Sequence, residues 1–203
     1  MLLDYAAVFV FALTGALVAS RAQLDIVGFV FLACLTATGG GTLRDLILDR
    51  DPVFWVREPA ILMVATAAAI LIFFTAHLAE SRYRWLLWLD AVALSVAVPA
   101  GVGVALDTGQ EAAIVILMGV MTGTFGGMLR DVVANEVPLV LKQGELYLTA
   151  AFTGSAAALA ALAAGADTPV ALLAAAGVTF ALRAGSMAFG WKLPVYKSRP
   201  PRV

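Results

Sequence analysis

Charged residues are scarce in this chain, and cysteine and histidine are scarcer still. Of its 203 residues, 13% are charged and 62% are hydrophobic, whereas a soluble domain of this size carries about 25% charged residues. The single cysteine, Cys34, excludes an intrachain disulfide and a cysteine-pair metal site. The single His77 is better explained as a packed or interfacial side chain than as a ligand. The net charge of −1 excludes a strongly basic nucleic-acid binder.

The chain also lacks the patterns of common catalytic sites. It has no Ser-His-Asp or Cys-His arrangement, no HExxH motif and no nucleotide-binding loop. Most carboxylates lie at the ends of apolar segments, where solvated helix caps are common. We therefore expect neither an enzyme nor a bound cofactor, and no metal site beyond a permeant K+ or Na+.

The chain does have seven apolar segments, each about as long as a bilayer core of roughly 30 Å requires of a helix. They are predicted at Leu2–Ser20, Ile26–Leu48, Ala60–Ala79, Trp85–Leu106, Ala112–Ala134, Leu146–Ala164 and Pro169–Gly190. The connections between them are short and carry turn residues such as Asp51-Pro52. This pattern predicts an all-α polytopic membrane protein with one transmembrane domain over residues 1–190 and a basic tail over residues 191–203.

Lysine and arginine are distributed unevenly between the two sides of the predicted bundle. One side carries Arg21, Arg82, Arg84, Lys142, Lys192, Lys197, Arg199 and Arg202. The opposite side carries Arg50 and Arg57 in its connections. The positive-inside rule therefore predicts a cytoplasmic C-terminus and an N-terminus outside. The basic tail is also able to contact anionic lipid headgroups, although its role in topology is the simpler explanation.

The first three segments and the next three are copies of one another. A shift of 86 residues aligns Asp4 with Asp90, Gly15 with Gly101, and the stretch TATGGGTLRD with TGTFGGMLRD. Repeat one spans about residues 1–80, repeat two about 85–165, and the seventh helix about 169–190. Because each unit has three spans, the two copies must insert in opposite orientations. An inverted repeat of this kind is typical of transport proteins.

Glycine clusters lie inside the second and fifth segments, and they predict helix breaks, or kinks, that line a pore. These glycines are Gly39, Gly40, Gly41, Gly126 and Gly127. Polar pore candidates are next to them: Thr36, Thr38, Thr122 and Thr124. A kink would expose carbonyl oxygens that suit a partly dehydrated cation. The alternative is close packing of helices across small residues.

Charges within the segments are the candidate pore or gate charges: Asp4, Arg44, Asp45, Asp90, Arg130, Asp131 and Arg183. Adjacent residues such as Arg44 and Asp45 point about 100° apart on a helix, so we do not expect them to pair with each other. Instead, the topology predicts two equivalent ion pairs, Asp4 with Arg44 and Asp90 with Arg130. Arg183 is a third buried cation that must face partners or water. Snorkelling, or locking of helices without a role in conduction, is the alternative for these charges.

These motifs resemble the prokaryotic members of the trimeric intracellular cation (TRIC) channel family. The same domain is also labelled a bacterial glycine transporter domain, or UPF0126 membrane protein. The resemblance extends from Asp4 to about Gly190 and implies a homotrimer in the bacterial inner membrane. It further implies an hourglass pore in each subunit, shaped by kinked second and fifth helices and passing chiefly potassium. The second copy departs from the triple glycine, with Phe125 at the position of Gly39.

Two functions remain open on the sequence. The leading hypothesis is a passive, potassium-permeable channel for monovalent cations. The second is a secondary transporter for a small zwitterion such as glycine, because an inverted repeat suits alternating access as well as a pore.

Overall fold

The computed structural model describes residues 2–78, 81–142, 145–194 and 196, and this part of the chain is helical. Its helices are α1 (Leu2–Arg21), α2 (Ile26–Ile47), α3 (Phe54–Arg57), α4 (Ala60–Thr75), α5 (Arg82–Asp107), α6 (Ala112–Val133), α7 (Leu148–Ala163) and α8 (Thr168–Phe189). Short 3-10 turns cover Ala76–Leu78 and Leu139–Leu141. The predicted all-helical class is confirmed. The tail residues Lys197, Arg199 and Arg202 lie outside the described residues.

Six helical segments are long and apolar enough to cross a membrane: α1, α2, α4 with its 3-10 turn, α5, α6 and α8. The remaining long helix, α7, has 16 residues, fewer than the roughly 20 that span a bilayer. It starts two residues later than predicted, because Leu146 and Tyr147 are not helical. Six spans are therefore established by length and hydropathy, and α7 as the seventh stays a prediction.

Side-chain caps define where several helices begin. Asp25 accepts a hydrogen bond from the backbone N–H of Gly28 at the start of α2, and Asp167 accepts one from Val170 at the start of α8. Each cap satisfies a backbone donor that has no partner within the helix. At its other end α8 stops at Gly190, whose φ of 69° is left-handed. A residue without a Cβ adopts that conformation at little cost.

The helices α2 and α6 cross in antiparallel directions at their glycines. A methyl group on Gly40 would overlap the carbonyl oxygen of Thr122, and one on Gly126 would overlap that of Thr36. The numbers rise along α2 as they fall along α6, and the shift of 86 exchanges the two contacts. The two copies are thus related by an approximate two-fold axis at this crossing.

The helices α1 and α5 repeat this antiparallel relation and are the most buried of the spans. At one end of α5, Arg82 donates to the carbonyl oxygen of Ser20, near the end of α1. At the opposite end, Asp4 and Val104 line one cavity. The last helix, α8, packs against α5 and α7.

The glycine clusters do not interrupt their helices, and the predicted helix breaks are not confirmed. Both α2 and α6 run as single helices through their clusters. At Gly40 and Gly126 the opposing backbone leaves no room for a side chain, which is the close-packing alternative. A smooth kink without a break stays a prediction.

Candidate functional site

Arg44 is buried near the end of α2, with 1% of its side chain exposed, and pairs with carboxylates on two helices. Its Nη1 donates to Asp4 Oδ1 at 2.9 Å, and its Nε donates to Asp45 Oδ1 at 2.8 Å. The ring centroid of Phe54 lies 5.4 Å from Cζ of the guanidinium. The predicted ion pair between Asp4 and Arg44 is confirmed. Such pairing is required because an uncompensated buried charge is strongly destabilising.

Asp45 links Arg44 to the segment between α2 and α3. Its Oδ1 also accepts from Arg50 Nη1 at 2.9 Å, and its Oδ2 accepts from the backbone N–H of Phe54 at 2.7 Å. The expectation that Arg44 and Asp45 do not pair is therefore wrong. Their Cβ atoms diverge around the helix, but the arginine side chain is long enough for its Nε to turn back to the carboxylate. We call Asp4, Arg44, Asp45, Arg50 and Phe54 the Arg44 centre.

The second copy builds an equivalent centre around Arg130 in α6, whose side chain is fully buried. Arg130 Nη1 donates to Asp90 Oδ1 at 3.0 Å, and Arg130 Nε donates to Asp131 Oδ1 at 2.8 Å. Asp131 Oδ2 accepts from the backbone N–H of Leu139 at 2.8 Å. The predicted pair between Asp90 and Arg130 is confirmed, and here too the adjacent residues Arg130 and Asp131 pair, against expectation.

Thr14 adds a contact to the second centre. Among the described residues, the first centre has no equivalent contact. The Thr14 hydroxyl accepts a hydrogen bond of 2.8 Å from Arg130 Nη1 across the bundle. The shift of 86 aligns Thr14 with Ala100, which has no hydroxyl and lines a cavity beside Arg44. We call Thr14, Asp90, Arg130, Asp131 and Leu139 the Arg130 centre. The two centres are thus similar in charge but different in packing.

Arg183 in α8 is buried as predicted and pairs with a residue that the sequence did not single out. Its Nη1 donates to Glu145 Oε2 at 2.7 Å. Its guanidinium carbon lies 4.8 Å from the ring centroid of Tyr147. Tyr147 is buried and its hydroxyl faces the carboxylate of Asp90. The third cation therefore touches the Arg130 centre through one aromatic side chain.

Two adjoining cavities reach the Arg44 centre. The inner cavity lies between α1, α2, α5 and α6 and is lined in part by Thr36, Gly40, Gly41, Ala100 and Thr122. The vestibule lies outside it, and its charged lining comprises Asp4, Arg44, Arg50, Arg57, Glu58 and Asp107. Both cavities include Asp4, Arg44 and Phe54 in their lining. They therefore meet at the Arg44 centre and point toward the crossing of α2 and α6.

The inner cavity is narrow, and it ends before the Arg130 centre. Its free volume is about 20 Å³, enough for about one water molecule, whereas that of the vestibule is about 140 Å³. No residue of the Arg130 centre lines either of these two cavities. The side chains of Arg130 and Asp90 are fully buried, whereas 17% of the Asp4 side chain is exposed. The conformation is thus accessible at the Arg44 end and closed at the Arg130 end.

Two of the four predicted threonines line the inner cavity. Thr36 and Thr122 line the inner cavity, whereas Thr38 and Thr124 are not in its lining. The hydroxyls of Thr36 and Thr38 donate to carbonyl oxygens one turn earlier, at 2.6 and 2.8 Å. The buried hydroxyl of Thr122 has no hydrogen-bond partner among the described residues.

The predicted glycines lie in three places. Gly40 and Gly41 line the inner cavity. Gly39 and Gly126 lie at the helix crossing, where side chains would meet Leu129 and the Thr36 backbone. Gly127 lies beside Asp90, Tyr147 and Arg130.

Residues that the sequence reasoning missed are Thr14, Arg50, Phe54, Glu145 and Tyr147. A partial signal existed for Phe54, because Pro52 and Pro138 occupy equivalent positions and short helical turns follow both. No pattern pointed to Glu145 or Tyr147, which lie in a connection. Their roles depend on how α8 packs.

Comparison with protein families finds one match that falls twice on the chain. The model described as Glycine transporter matches residues 1–77 and 87–163. A UPF0126 membrane protein of Vibrio cholerae is 38% identical over 196 residues, which cover 96% of this chain and 82% of that protein. The UPF0126 inner membrane protein YadS of Escherichia coli is 41% identical over 153 residues, covering 75% of this chain and 73% of YadS.

A solved structure is also closely similar. The TRIC trimeric intracellular cation channel orthologue from Rhodobacter sphaeroides is 50% identical and superposes with a TM-score of 0.90. The match covers 93% of this chain and 97% of that one. Together with the doubled motif and its paired arginines, these similarities confirm the predicted resemblance. The chain is a multi-pass membrane protein that belongs to the prokaryotic TRIC family, also described as the UPF0126 or Glycine transporter family.

Proposed function

We propose that this protein is a potassium-permeable channel for monovalent cations, with a pathway between α2 and α6 of each subunit. The observation that carries the proposal is the pair of cavities that runs from the Arg44 end to Thr36 and Thr122 at the crossing. The relative from Rhodobacter sphaeroides, described as a cation channel, has the same fold, and this supports cation transport.

The charges beside this pathway are compatible with a cation. An unpaired arginine at a constriction would repel cations, but Arg44 is bonded to Asp4 and Asp45, and Arg50 is bonded to Asp45 as well. Two carboxylates thus balance two guanidinium groups.

Oxygen atoms at the crossing supply ligands for a partly dehydrated ion. The hydroxyl of Thr122 is buried and has no hydrogen-bond partner in the described part of the chain. Thr122 lies in the lining of the inner cavity with Thr36. Neutral oxygens of this kind can replace water molecules around K+. The permeation site we propose is therefore at Thr36 and Thr122.

The assembly and orientation belong to the same proposal. We propose a homotrimer in the bacterial inner membrane, with α7 as a seventh span and smooth kinks in α2 and α6. The N-terminus lies outside and the C-terminus in the cytoplasm. Lys192 and the basic tail then face anionic headgroups of the inner leaflet.

The zwitterion transporter is the less favoured hypothesis, and the family and fold are not those of an enzyme. A link to glycine comes only from the description of the family model as Glycine transporter. The structurally similar Rhodobacter sphaeroides protein is described as a cation channel. In addition, the inner cavity has room for about one water molecule, which is less than a glycine molecule needs.

The test uses purified protein in liposomes. The proposal predicts that the protein dissipates an imposed membrane voltage in a potassium-dependent manner, and that labelled glycine shows no saturable counterflow. Glycine counterflow without potassium conductance would overturn the proposal.

A further inference from the structure

Tyr147 lies at a point where the two copies of the repeat differ. It directly precedes α7, and 2% of its side chain is exposed. A Cβ added to Gly127 would lie 3.4 Å from Asp90 Oδ1, 3.5 Å from the Tyr147 hydroxyl and 3.6 Å from Arg130 Nη2. The phenol hydroxyl therefore shares one small space with the charges of the Arg130 centre. The shift of 86 aligns Tyr147 with Ile61, which lines the open vestibule.

The ring of Tyr147 is in contact with Arg183 of α8. The guanidinium carbon of Arg183 is 4.8 Å from the ring centroid, and its side chain is fully buried. Within the described residues, Glu145 is the carboxylate at ion-pair distance from Arg183, at 2.7 Å. Because Glu145 and Tyr147 are two residues apart, the ion pair fixes the connection that carries the tyrosine.

The chain after α8 folds back and bonds to the segment before α7 that carries Glu145 and Tyr147. The backbone N–H of Leu146 donates to Ser186 Oγ at 3.1 Å, and Ser186 Oγ donates to the carbonyl oxygen of Trp191 at 2.9 Å. Glu145 and Lys192 form an antiparallel backbone bridge. The ring of Trp191 packs directly on Gly185, where a Cβ would overlap it. Residues 191–192 thus form a strap over the connection.

We infer that Tyr147 seals the cation pathway at the Arg130 end, and that Arg183, Glu145 and the strap are positioning residues that hold the seal closed. The inference rests on the proposed channel function. A cation that passed the helix crossing would next meet the carboxylate of Asp90, and the Tyr147 hydroxyl occupies the space in front of it. Release of the Arg183–Glu145 pair or of the strap frees Tyr147 and opens that end.

The variant Tyr147→Phe tests the seal directly, because it keeps the ring on Arg183 and removes the hydroxyl. We expect about tenfold more potassium flux per inserted protein in liposomes, about the effect of losing one hydrogen bond to a charged group. The matched control is Tyr83→Phe. Tyr83 contacts Lys142 and Arg21 at the same end. In the described part of the chain no hydrogen bond joins Tyr83 to the Arg130 centre, so the flux of Tyr83→Phe should equal that of the unmodified protein.

The variant Glu145→Gln tests the positioning residues. It should also raise flux, and the double variant with Tyr147→Phe should conduct no more than Tyr147→Phe alone, because both changes release the same seal. Ser186→Ala removes the acceptor of the Leu146 N–H and keeps every charge. If Glu145→Gln does not insert into the membrane, Ser186→Ala with and without Tyr147→Phe gives the same test of a shared seal.

The outcomes separate this inference from the proposed function. Absence of potassium flux in every variant and in the unmodified protein would overturn the channel itself. Flux in the unmodified protein with no increase in a folded Tyr147→Phe would overturn the seal. Additive increases from Glu145→Gln and Tyr147→Phe would overturn the positioning role.

Discussion

Asp45 accepts most of the hydrogen bonds that hold the Arg44 centre together. Two arginines and one backbone N–H donate to its carboxylate, which is 1% exposed. The carboxylate therefore balances charge inside the bundle and also fixes the start of α3. Asp131 does the same for the turn at Leu139 in the second copy.

The variant Asp45→Asn should destabilise the protein strongly. It removes one negative charge from a buried pair and leaves Arg44 with less compensation, a loss of about 3 kcal/mol. Thermal unfolding in detergent measures the effect as a fall in Tm. Asp51→Asn, at an exposed position of the same connection, is the control and should leave Tm unchanged. Equal Tm values for both variants would contradict this role.

Thr14 and Ala100 occupy equivalent positions in the two repeats, and the difference between them predicts opposite effects on potassium flux. Thr14→Ala removes the hydroxyl that accepts from Arg130 and should raise potassium flux about fivefold by loosening the closed end. Ala100→Thr adds a hydroxyl and a methyl group beside Arg44, where the inner cavity holds about one water molecule, and should lower the flux. Liposome flux assays compare the two. Changes in the same direction would show that this difference between the copies does not control access.

At the scale of helices, the crossing of α2 and α6 depends on close backbone contact. Gly40 and Gly126 face the carbonyl oxygens of Thr122 and Thr36, and these contacts are exchanged by the repeat. Small residues allow such an approach between membrane helices. The crossing places the cavity-lining threonines next to the proposed pathway.

A methyl group at this crossing should be costly. Gly40→Ala or Gly126→Ala must push the helices apart, and overpacking of this kind costs about 1–3 kcal/mol. Gly177→Ala is the control, because Gly177 in α8 has no atom within 4 Å of an added Cβ. We expect Tm to fall by several degrees at the crossing and to stay level or rise slightly at Gly177. A neutral Gly40→Ala would contradict the contact.

Apolar runs made the helices predictable, the repeat and the topology made two ion pairs predictable, and packing decided the rest. Asp4 with Arg44 followed from an alignment and a topology, because a buried charge in a membrane needs a partner at its own depth. The pairing of Arg44 with Asp45 was missed, since the reach of an arginine side chain is not set by its Cβ direction. Glycine runs suggested breaks, yet both helices are continuous, and Gly40 and Gly126 are required because the opposing backbone leaves no room for a Cβ.

For the whole molecule, the two copies form similar charged centres but do not end the pathway in the same way. The Arg44 end opens into a vestibule, whereas Thr14 and Tyr147 fill the space at the Arg130 end. Helix α8 and the strap, which have no counterpart in the repeat, contact the Arg130 end. The duplicated fold thus supplies the pathway, and the added helix makes its two ends unequal.

The central claim is that cations pass within a subunit, beside Ala100 and the crossing of α2 and α6. Silver ions test it, because they react with thiolates in water-filled spaces. In a background with Cys34→Ala, silver should block potassium flux through Ala100→Cys and leave Gly177→Cys, at an exposed position of α8, unaffected. Undiminished flux through Ala100→Cys, in protein that conducts without silver, would contradict the claim and place the pathway elsewhere.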